Sequence, residues 1–222
     1  MKQYIDIHHH NRHMDTHKAV ALPDDIWTVT NFHTDFEQSH TMQPCSIGLH
    51  PWHLDNHAQE LQRIAEIIPL PHVVAIGECG LDTVCTTPMD IQKHVFQQQI
   101  ALANKAGKPL IIHCVRAFPE TIALLKQAQV PVIFHGFQKN PALAKELTSH
   151  GFYLSFGAAL TENKKNAIDS LSLIATDRFF LETDDSPVSI HHIYEAAAAV
   201  RQLSKDALVL QIQQNYKTVF GI

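Results

Sequence analysis

The amino-acid sequence predicts a (β/α)8 TIM barrel, distorted or shortened in its first two βα units. Eight short runs rich in β-branched and aromatic residues recur, and helical patterns separate the later ones. Most runs are continuously apolar, which is typical of parallel strands covered on both faces. Strands that alternate with helices eight times indicate a parallel barrel. The alternative is a doubly wound open sheet, whose glycine-rich phosphate turn the sequence lacks.

The predicted strands are unevenly spaced. They are residues 4–8, 26–32, 45–50, 73–78, 109–114, 131–136, 152–156 and 179–183. The connection 11–25 shows no apolar periodicity and 33–44 is short and polar, which explains how a barrel fits into 222 residues. Because no repeat or linker divides the chain, we expect one domain over residues 1–222.

Helix signals mark the segments between the later strands. Thr87-Pro88 and Asn140-Pro141 each place a capping side chain before a proline at the first helical position. Gly107 and Gly151 stand where a left-handed residue ends a helix. Helices are predicted over residues 57–68, 88–106, 117–128, 162–175 and 192–217, the last one broken near Ser204.

The composition is that of a globular chain rich in metal-ligating side chains. Apolar residues make up 45% and charged residues 18%, which excludes disorder and fibrous repeats. The formal net charge of −5 argues against a broadly basic surface that coats nucleic acid. Histidine occurs 17 times, far above ordinary usage, and this indicates metal binding. No apolar stretch has signal-peptide or membrane-spanning length, and the four cysteines form no CxxC pair, so we expect a cytoplasmic protein with reduced thiols.

Six side chains of metal-ligating type fall at the carboxyl ends of predicted strands. They are His8, His10, Glu78, His113, His135 and Asp184. Catalytic groups of TIM barrels gather at this face. Four histidines and two carboxylates at one barrel mouth can bind two divalent ions, with Glu78 as the bridge. Imidazole-rich coordination favours zinc, manganese or iron over magnesium, although metal availability can override that preference.

The motifs around these residues resemble those of the TatD-type metal-dependent hydrolases, a family of the amidohydrolase-like superfamily. They are DIHHH (6–10), GLHPW (48–52), IGECGLD (76–82), IIHC (111–114), IFHGF (133–137) and LETD (181–184). The resemblance covers nearly the whole chain and implies a barrel with deoxyribonuclease or related phosphodiesterase activity. It also implies two ligand sets, His8, His10, Glu78 and Asp184 for one ion and Glu78, His113 and His135 for the other.

The predicted mouth departs from the family pattern. Asn11-Arg12 follows the first histidines where the family has Leu-Asp, Thr83-Val84 follows GLD in place of aromatic residues, and Gly136-Phe137-Gln138 replaces a Phe-Ser-Gly-like turn. All six ligands are present, so these departures bear on the substrate and not on the metal site.

We therefore predict a divalent-metal-dependent hydrolase of phosphoester bonds, with the ends or single strands of DNA as the leading substrate. A bridging hydroxide activated by the ions would attack phosphorus, with Asp184 as general base. Candidate phosphate contacts are His50, Arg12, Arg116 and Lys139, and candidate residues for orienting the ligands are Asp6, Asp82 and Glu182. The alternatives are a hydrolase of amides, lactones or small phosphomonoesters on the same barrel, and a metal-binding protein without catalysis.

Overall fold

The computed structural model describes residues 3–10, 23–34, 36, 39 and 44–221. Its strands are β1 (Tyr4–His9), β2 (Ile26–Phe32), β3 (Cys45–Ile47), β4 (Val73–Asp82), β5 (Leu110–Val115), β6 (Val132–Phe134), β7 (Tyr153–Phe156) and β8 (Phe179–Leu181). Its helices are α1 (His57–Ile67), α2 (Met89–Ala106), α3 (Phe118–Leu125), α4 (Pro141–Ser149), α5 (Lys165–Leu173), α6 (Ile190–Arg201) and α7 (Lys205–Phe220).

The strands form one sheet in chain order, from β1 to β8. Neighbouring strands run parallel, as in the pairs β4–β5 and β7–β8. The end of β1 meets the residue after β8 through two backbone hydrogen bonds, from His10 N to Asp184 O at 3.0 Å and from Asp184 N to His8 O at 2.8 Å. The predicted (β/α)8 barrel is confirmed.

The first α-helix of the described chain follows β3, so no α-helix is found among the described residues between β1 and β3. The predicted shortening of the first two βα units falls mainly on positions outside the described residues, including Asn11, Arg12 and His40. No helix in the described part of the chain has an apolar stretch long enough to cross a membrane.

Two compact units make up the described residues, one within 1–30 and 135–222 and the other within 31–134. In the first unit α7 packs on β1 and β8. The largest buried side chains of this unit include Tyr194, Phe156 and Phe179. In the second unit α2 packs on β4, where Phe96 and Ile76 are fully buried. Both cores consist of the continuous apolar runs that the sequence indicates, because burial of apolar surface is the main force that favours folding.

Helix ends follow the predicted signals with one exception. Asn140 Oδ1 accepts a hydrogen bond from Leu143 N at 3.0 Å, and Gly107 ends α2 with φ of 65°. The prediction that Thr87 caps α2 is wrong. Pro88 is the capping residue, because its carbonyl accepts the first helical bond from Gln92 N, and the Thr87 carbonyl accepts instead from the Gln92 side chain.

Two basic side chains donate hydrogen bonds to carbonyl groups at the end of a neighbouring helix or in the residues that follow it. Lys108 Nζ, just before β5, donates to the carbonyls of Ile68, Leu70 and Val73 beyond α1. Arg201 Nη1, at the end of α6, donates to Leu171 O at 2.8 Å and Ile174 O at 2.8 Å at the end of α5. Each cation therefore satisfies acceptors that the helix itself leaves unpaired.

Candidate metal centre

In the second unit, three predicted or candidate site residues converge: His50 follows β3, Glu78 lies within β4 and His113 lies near the end of β5. His113 Nδ1 lies 2.7 Å from Glu78 Oε1, and His50 Nε2 lies 3.3 Å from the same oxygen. We call His50, Glu78 and His113 the Glu78 group. One ligand atom from each residue lies within 4.8 Å of the others, and the group is buried or nearly so.

Glycines of the IGECGLD motif bring Glu78 and His113 together. A Cβ at Gly80 would lie 2.0 Å from the His113 carbonyl oxygen, and one at Gly77 would lie 2.5 Å from that of Ile111. Their φ angles are +147° and +154°, which side chains rarely adopt. β4 can therefore approach β5 closely only because these positions carry no side chain, and this extends β4 to Asp82, four residues beyond the predicted end.

Asp82 holds the other side of the His113 ring. Its Oδ2 lies 3.1 Å from His113 Nε2 and accepts from Trp52 Nε1 at 2.8 Å, while Oδ1 accepts from Val84 N at 2.7 Å. Burial raises the pKa of Asp82, but the hydrogen bonds from Trp52, Val84 and His113 outweigh it and leave the pKa below its ordinary value. Asp82 Oδ2 can accept a hydrogen bond from Nε2–H of His113, and in that tautomer the Nδ1 lone pair faces Glu78, where a cation would be stabilised.

Buried amides that the sequence analysis missed support this group. Gln92 binds both the backbone N and O of Asp82, at 2.8 Å and 2.9 Å, and Gln99 does the same for Leu49 at 2.7 Å and 3.1 Å. Asn31 Oδ1 accepts from Glu78 N at 2.7 Å. A signal for the two glutamines exists, since positions 92 and 99 share the helical face of Phe96, at spacings of four and three residues.

In the first unit, His8, His10 and Asp184 form a second group, which we call the His8 group. The distances from Asp184 Oδ1 to His8 Nε2 and His10 Nε2 are 3.8 Å and 3.5 Å. These distances exceed a good hydrogen bond. They match the roughly 3.4 Å that separates two ligand atoms around a tetrahedral ion with bonds of about 2.1 Å. The donors of the His8 group therefore fit a divalent metal.

Backbone and neighbouring side chains fix Asp184. Its φ is 54°, in the left-handed region that aspartate tolerates better than most residues. The preceding Thr183 donates to both oxygens of the buried Asp6, from N at 3.0 Å and from Oγ1 at 2.6 Å. Burial raises the pKa of Asp6 to about 7 although these hydrogen bonds oppose the change. Asp6 thus positions the turn that carries Asp184, whereas His8 and His10 face Asp184 directly.

His135 lies with Glu182, at the end of β6. The distance from His135 Nδ1 to Glu182 Oε1 is 3.6 Å, and Gly136 N donates to the same oxygen at 2.5 Å. Burial raises the pKa of Glu182, but the hydrogen bond and charge of His135 outweigh it, so the pKa lies below its ordinary value. One ligand atom each from His135, Glu182 and Asp184 lies within 4.8 Å of the others.

A cavity of about 170 Å³ opens beside Asp184. Its lining includes Gly136, Phe137 and Gln138, the residues that depart from the family pattern. Four carboxylates also line it, and they are Glu162, Glu182, Asp184 and Asp185. Such a concentration of negative charge is stabilised by cations, which agrees with the donor set of the His8 group.

The structure places the candidate phosphate contacts in different surroundings. His50 belongs to the Glu78 group. Arg116 and Lys139 are exposed, after β5 and β6, and neither lines the cavity beside Asp184. Arg12 lies outside the described residues.

Comparison with known proteins bears on the family of the chain. The model of the TatD related DNase family matches residues 25–221. The chain belongs to this family. Metal-dependent hydrolase YabD of Bacillus subtilis strain 168 is 33% identical over 196 residues, which cover 80% of this chain and 77% of the relative. The TatD-family resemblance of the motifs and the predicted enzyme class, a metal-dependent hydrolase, are confirmed.

Two further relatives of this TatD-family chain bear on function and fold. A protein of Enterobacter lignolyticus strain SCF1 named 3'-5' ssDNA/RNA exonuclease TatD is 28% identical over 92% of this chain and 90% of the relative. The crystal structure of YJJV, a TatD homologue of Escherichia coli K12, superposes with a TM-score of 0.84 and 20% identity, covering 100% of this chain and 99% of the other. At that identity the superposition shows the fold alone.

Proposed function

We propose that this TatD-family hydrolase cleaves phosphodiester bonds of DNA, at strand ends or in single strands, with two divalent ions. The observation that carries the proposal is the His8 group, because Asp184 Oδ1 lies 3.8 Å from His8 Nε2 and 3.5 Å from His10 Nε2, near the separation expected around a tetrahedral ion, at the carboxyl ends of β1 and β8. The exonuclease name of the Enterobacter relative supports the nucleic-acid substrate.

The proposed ligands are the six residues taken from the sequence: His8, His10, Glu78, His113, His135 and Asp184. Glu78 is the proposed bridge between the two ions. Zinc or manganese suits this imidazole-rich set better than magnesium. When bound, the ions supply activation of a water molecule and neutralisation of charge on the phosphate.

The protein's own groups have separate tasks in this proposal. Asp184 accepts a proton from the attacking water, as its half-buried position at the wall of the cavity allows. Asp82 keeps His113 in one orientation by holding Nε2, and Glu182 restrains His135. His50 and, at the surface, Arg116 and Lys139 are the proposed phosphate contacts, with Arg12 as a further candidate. A cytoplasmic location is also proposed, supported by four cysteines that form no disulfide.

Metal content and substrate topology test the proposal. Metal-loaded protein is offered linear single-stranded, linear duplex and closed circular DNA, and His10→Ala is compared with His150→Ala, which removes an exposed histidine. We expect cutting of linear single strands, loss of most activity in His10→Ala and little change in His150→Ala. Efficient cutting of closed circles contradicts the end-directed claim. Turnover of a small phosphomonoester, lactone or amide without cutting of DNA transfers the assignment to that substrate class.

The bridging role of Glu78 has its own test. Glu78→Gln keeps the side-chain shape and removes the negative charge that holds two cations together. We expect one ion per chain in place of two, and loss of most activity with the circular dichroism spectrum unchanged. Two tightly held ions and full turnover in this variant would show that Glu78 is not the bridge.

A further inference from the structure

Trp52 is a tryptophan that the fold holds in an exposed position. Its exposed fraction is 59%, although tryptophan is usually among the more buried residues. The indole is not loose, because Nε1 donates to Asp82 Oδ2 at 2.8 Å. An exposed aromatic ring with a fixed polar end is typical of binding surfaces.

The tether of Trp52 is itself rigid. Asp82 is buried, and Gln92 binds its backbone N and O at 2.8 Å and 2.9 Å. The second carboxylate oxygen of Asp82 accepts from the backbone of Val84, whose side chain is 60% exposed. One buried carboxylate thus anchors two neighbouring apolar groups at the surface.

The Trp52 ring lies against the Glu78 group. Its centroid is 5.1 Å from that of His50 and 6.4 Å from that of His113, with interplanar angles of 88° and 75°. Trp52 N also donates to His50 Nδ1 at 3.2 Å. A molecule whose phosphate meets His50 or His113 therefore brings its adjoining group to the indole.

We propose that Trp52 is a specificity-determining residue that stacks on a nucleobase of single-stranded nucleic acid. The proposal rests on the phosphodiesterase function proposed above and names what recognises the substrate beside the scissile phosphate. Every base has a π-face, so stacking binds single strands with little sequence preference. With a net charge of −5, the protein gains little affinity from long-range attraction to phosphates, and stacking supplies affinity that does not depend on charge.

Fluorescence measures the stacking directly. Trp27→Phe leaves Trp52 as the single tryptophan, since the chain has two. This metal-loaded variant is titrated with a phosphorothioate oligothymidylate of about eight residues and with an abasic oligomer of equal length. We expect the oligothymidylate to quench and the abasic oligomer to leave emission nearly unchanged. Equal quenching by both would overturn the stacking, and so would a change of emission with protein concentration alone, which would assign the surface to self-association.

Kinetics on matched small esters provides the second test. The substrates are thymidine 5'-(p-nitrophenyl phosphate) and methyl p-nitrophenyl phosphate, which differ in the nucleoside. For Trp52→Ala we expect kcat/KM on the thymidine ester to fall about tenfold through a higher KM, as removal of one stacking contact predicts. The methyl ester should lose much less kcat/KM than the thymidine ester, and Trp52→Phe should retain most of the preference for the nucleoside because it keeps a ring.

The two tests separate the two proposals. Equal losses on both esters would mean that Trp52 only maintains the Glu78 group, and the stacking proposal would fail. If the wild-type protein cleaves neither ester nor DNA, the phosphodiesterase proposal fails, while the quenching by bases still decides whether Trp52 binds them.

Discussion

Asp82 is held through both its carboxylate and its backbone. His113, Trp52 and Val84 all use its side chain, and Gln92 binds its main chain. Hydrogen bonds to an ionised acceptor are stronger than those between neutral groups, which explains why this buried carboxylate stays charged. A residue that touches no substrate can in this way fix the orientation of a ligand.

We expect Asp82→Asn to weaken metal binding and activity by about 10- to 100-fold. The amide replaces one acceptor by a donor, so its NH2 group opposes either the N–H groups of Trp52 and His113, which share Oδ2, or the backbone N–H of Val84 at Oδ1. Metal titration and hydrolysis assays measure the loss, with Asp177→Asn, an exposed site, as the control. A metal affinity equal to that of the wild type would show that the contact between Asp82 and His113 does not orient the ring.

The proposed metal ligands and the carboxylates proposed to orient them were readable from the sequence, whereas the buried amides around them were not predicted. His113 and Glu78 stand at strand ends in motifs with family precedent. Asn31 and Gln99 are ordinary polar residues whose burial depends on partners at Glu78 and Leu49, distant in the chain. Helical spacing can place such a residue on a buried face, but its partner cannot be inferred before the fold is known, because a buried polar group is tolerated only where a partner exists.

At the level of elements, local patterns give the strands and helices to within a few residues. The break at Ser204 is an example, since its Oγ accepts from Ala207 N at 3.2 Å to begin α7. The extension of β4 to Asp82 was not predicted, because it depends on how closely β5 approaches Gly80. The prediction that Thr87 caps α2 was wrong for a similar reason, because it did not anticipate that the Gln92 side chain donates a hydrogen bond to the Thr87 carbonyl.

Lys108 gives a prediction about helix ends. Burial lowers its pKa, although the charged form binds three carbonyls beyond α1. Lys108→Met keeps much of the aliphatic length and leaves these acceptors without their donor. We expect a loss of roughly 2–3 kcal/mol in the free energy of unfolding. Denaturant unfolding measures it, with the exposed Lys105→Met expected to change stability by less than about 0.5 kcal/mol. Equal stabilities for the two variants would contradict the role of Lys108.

For the whole molecule, the sequence predicts one domain over residues 1–222. The second unit is one continuous segment, residues 31–134, and the chain joins it to the first unit at both of its ends. We expect a single calorimetric transition whose van't Hoff and calorimetric enthalpies agree. Two resolved transitions would contradict the one-domain prediction. A second scan without added metal serves as the control, because bound ions raise the transition temperature of the folded protein.

The net charge of the protein bears on the salt dependence of DNA binding. The net charge of −5 means that acidic side chains outnumber the basic ones that could replace the counterions of a nucleic acid. We expect binding of single-stranded DNA to depend weakly on salt, with a log–log slope no steeper than about −3 between roughly 50 and 200 mM. Measurement is by anisotropy of a labelled oligonucleotide at constant metal concentration. A steeper slope would indicate a basic surface that the composition does not suggest.

The turn after β6 has a consequence for protein engineering. Its backbone is anchored, because Gly136 N donates to Glu182 and Phe137 N donates to Ser155 O at 2.8 Å, while Gln138 is exposed at the wall of the cavity. Position 138 can therefore be varied while the supporting hydrogen bonds of the turn are kept. A small library of substitutions at this position would change the substrate preference without changing the proposed metal ligands. Variation of this kind allows one barrel fold to serve many hydrolases.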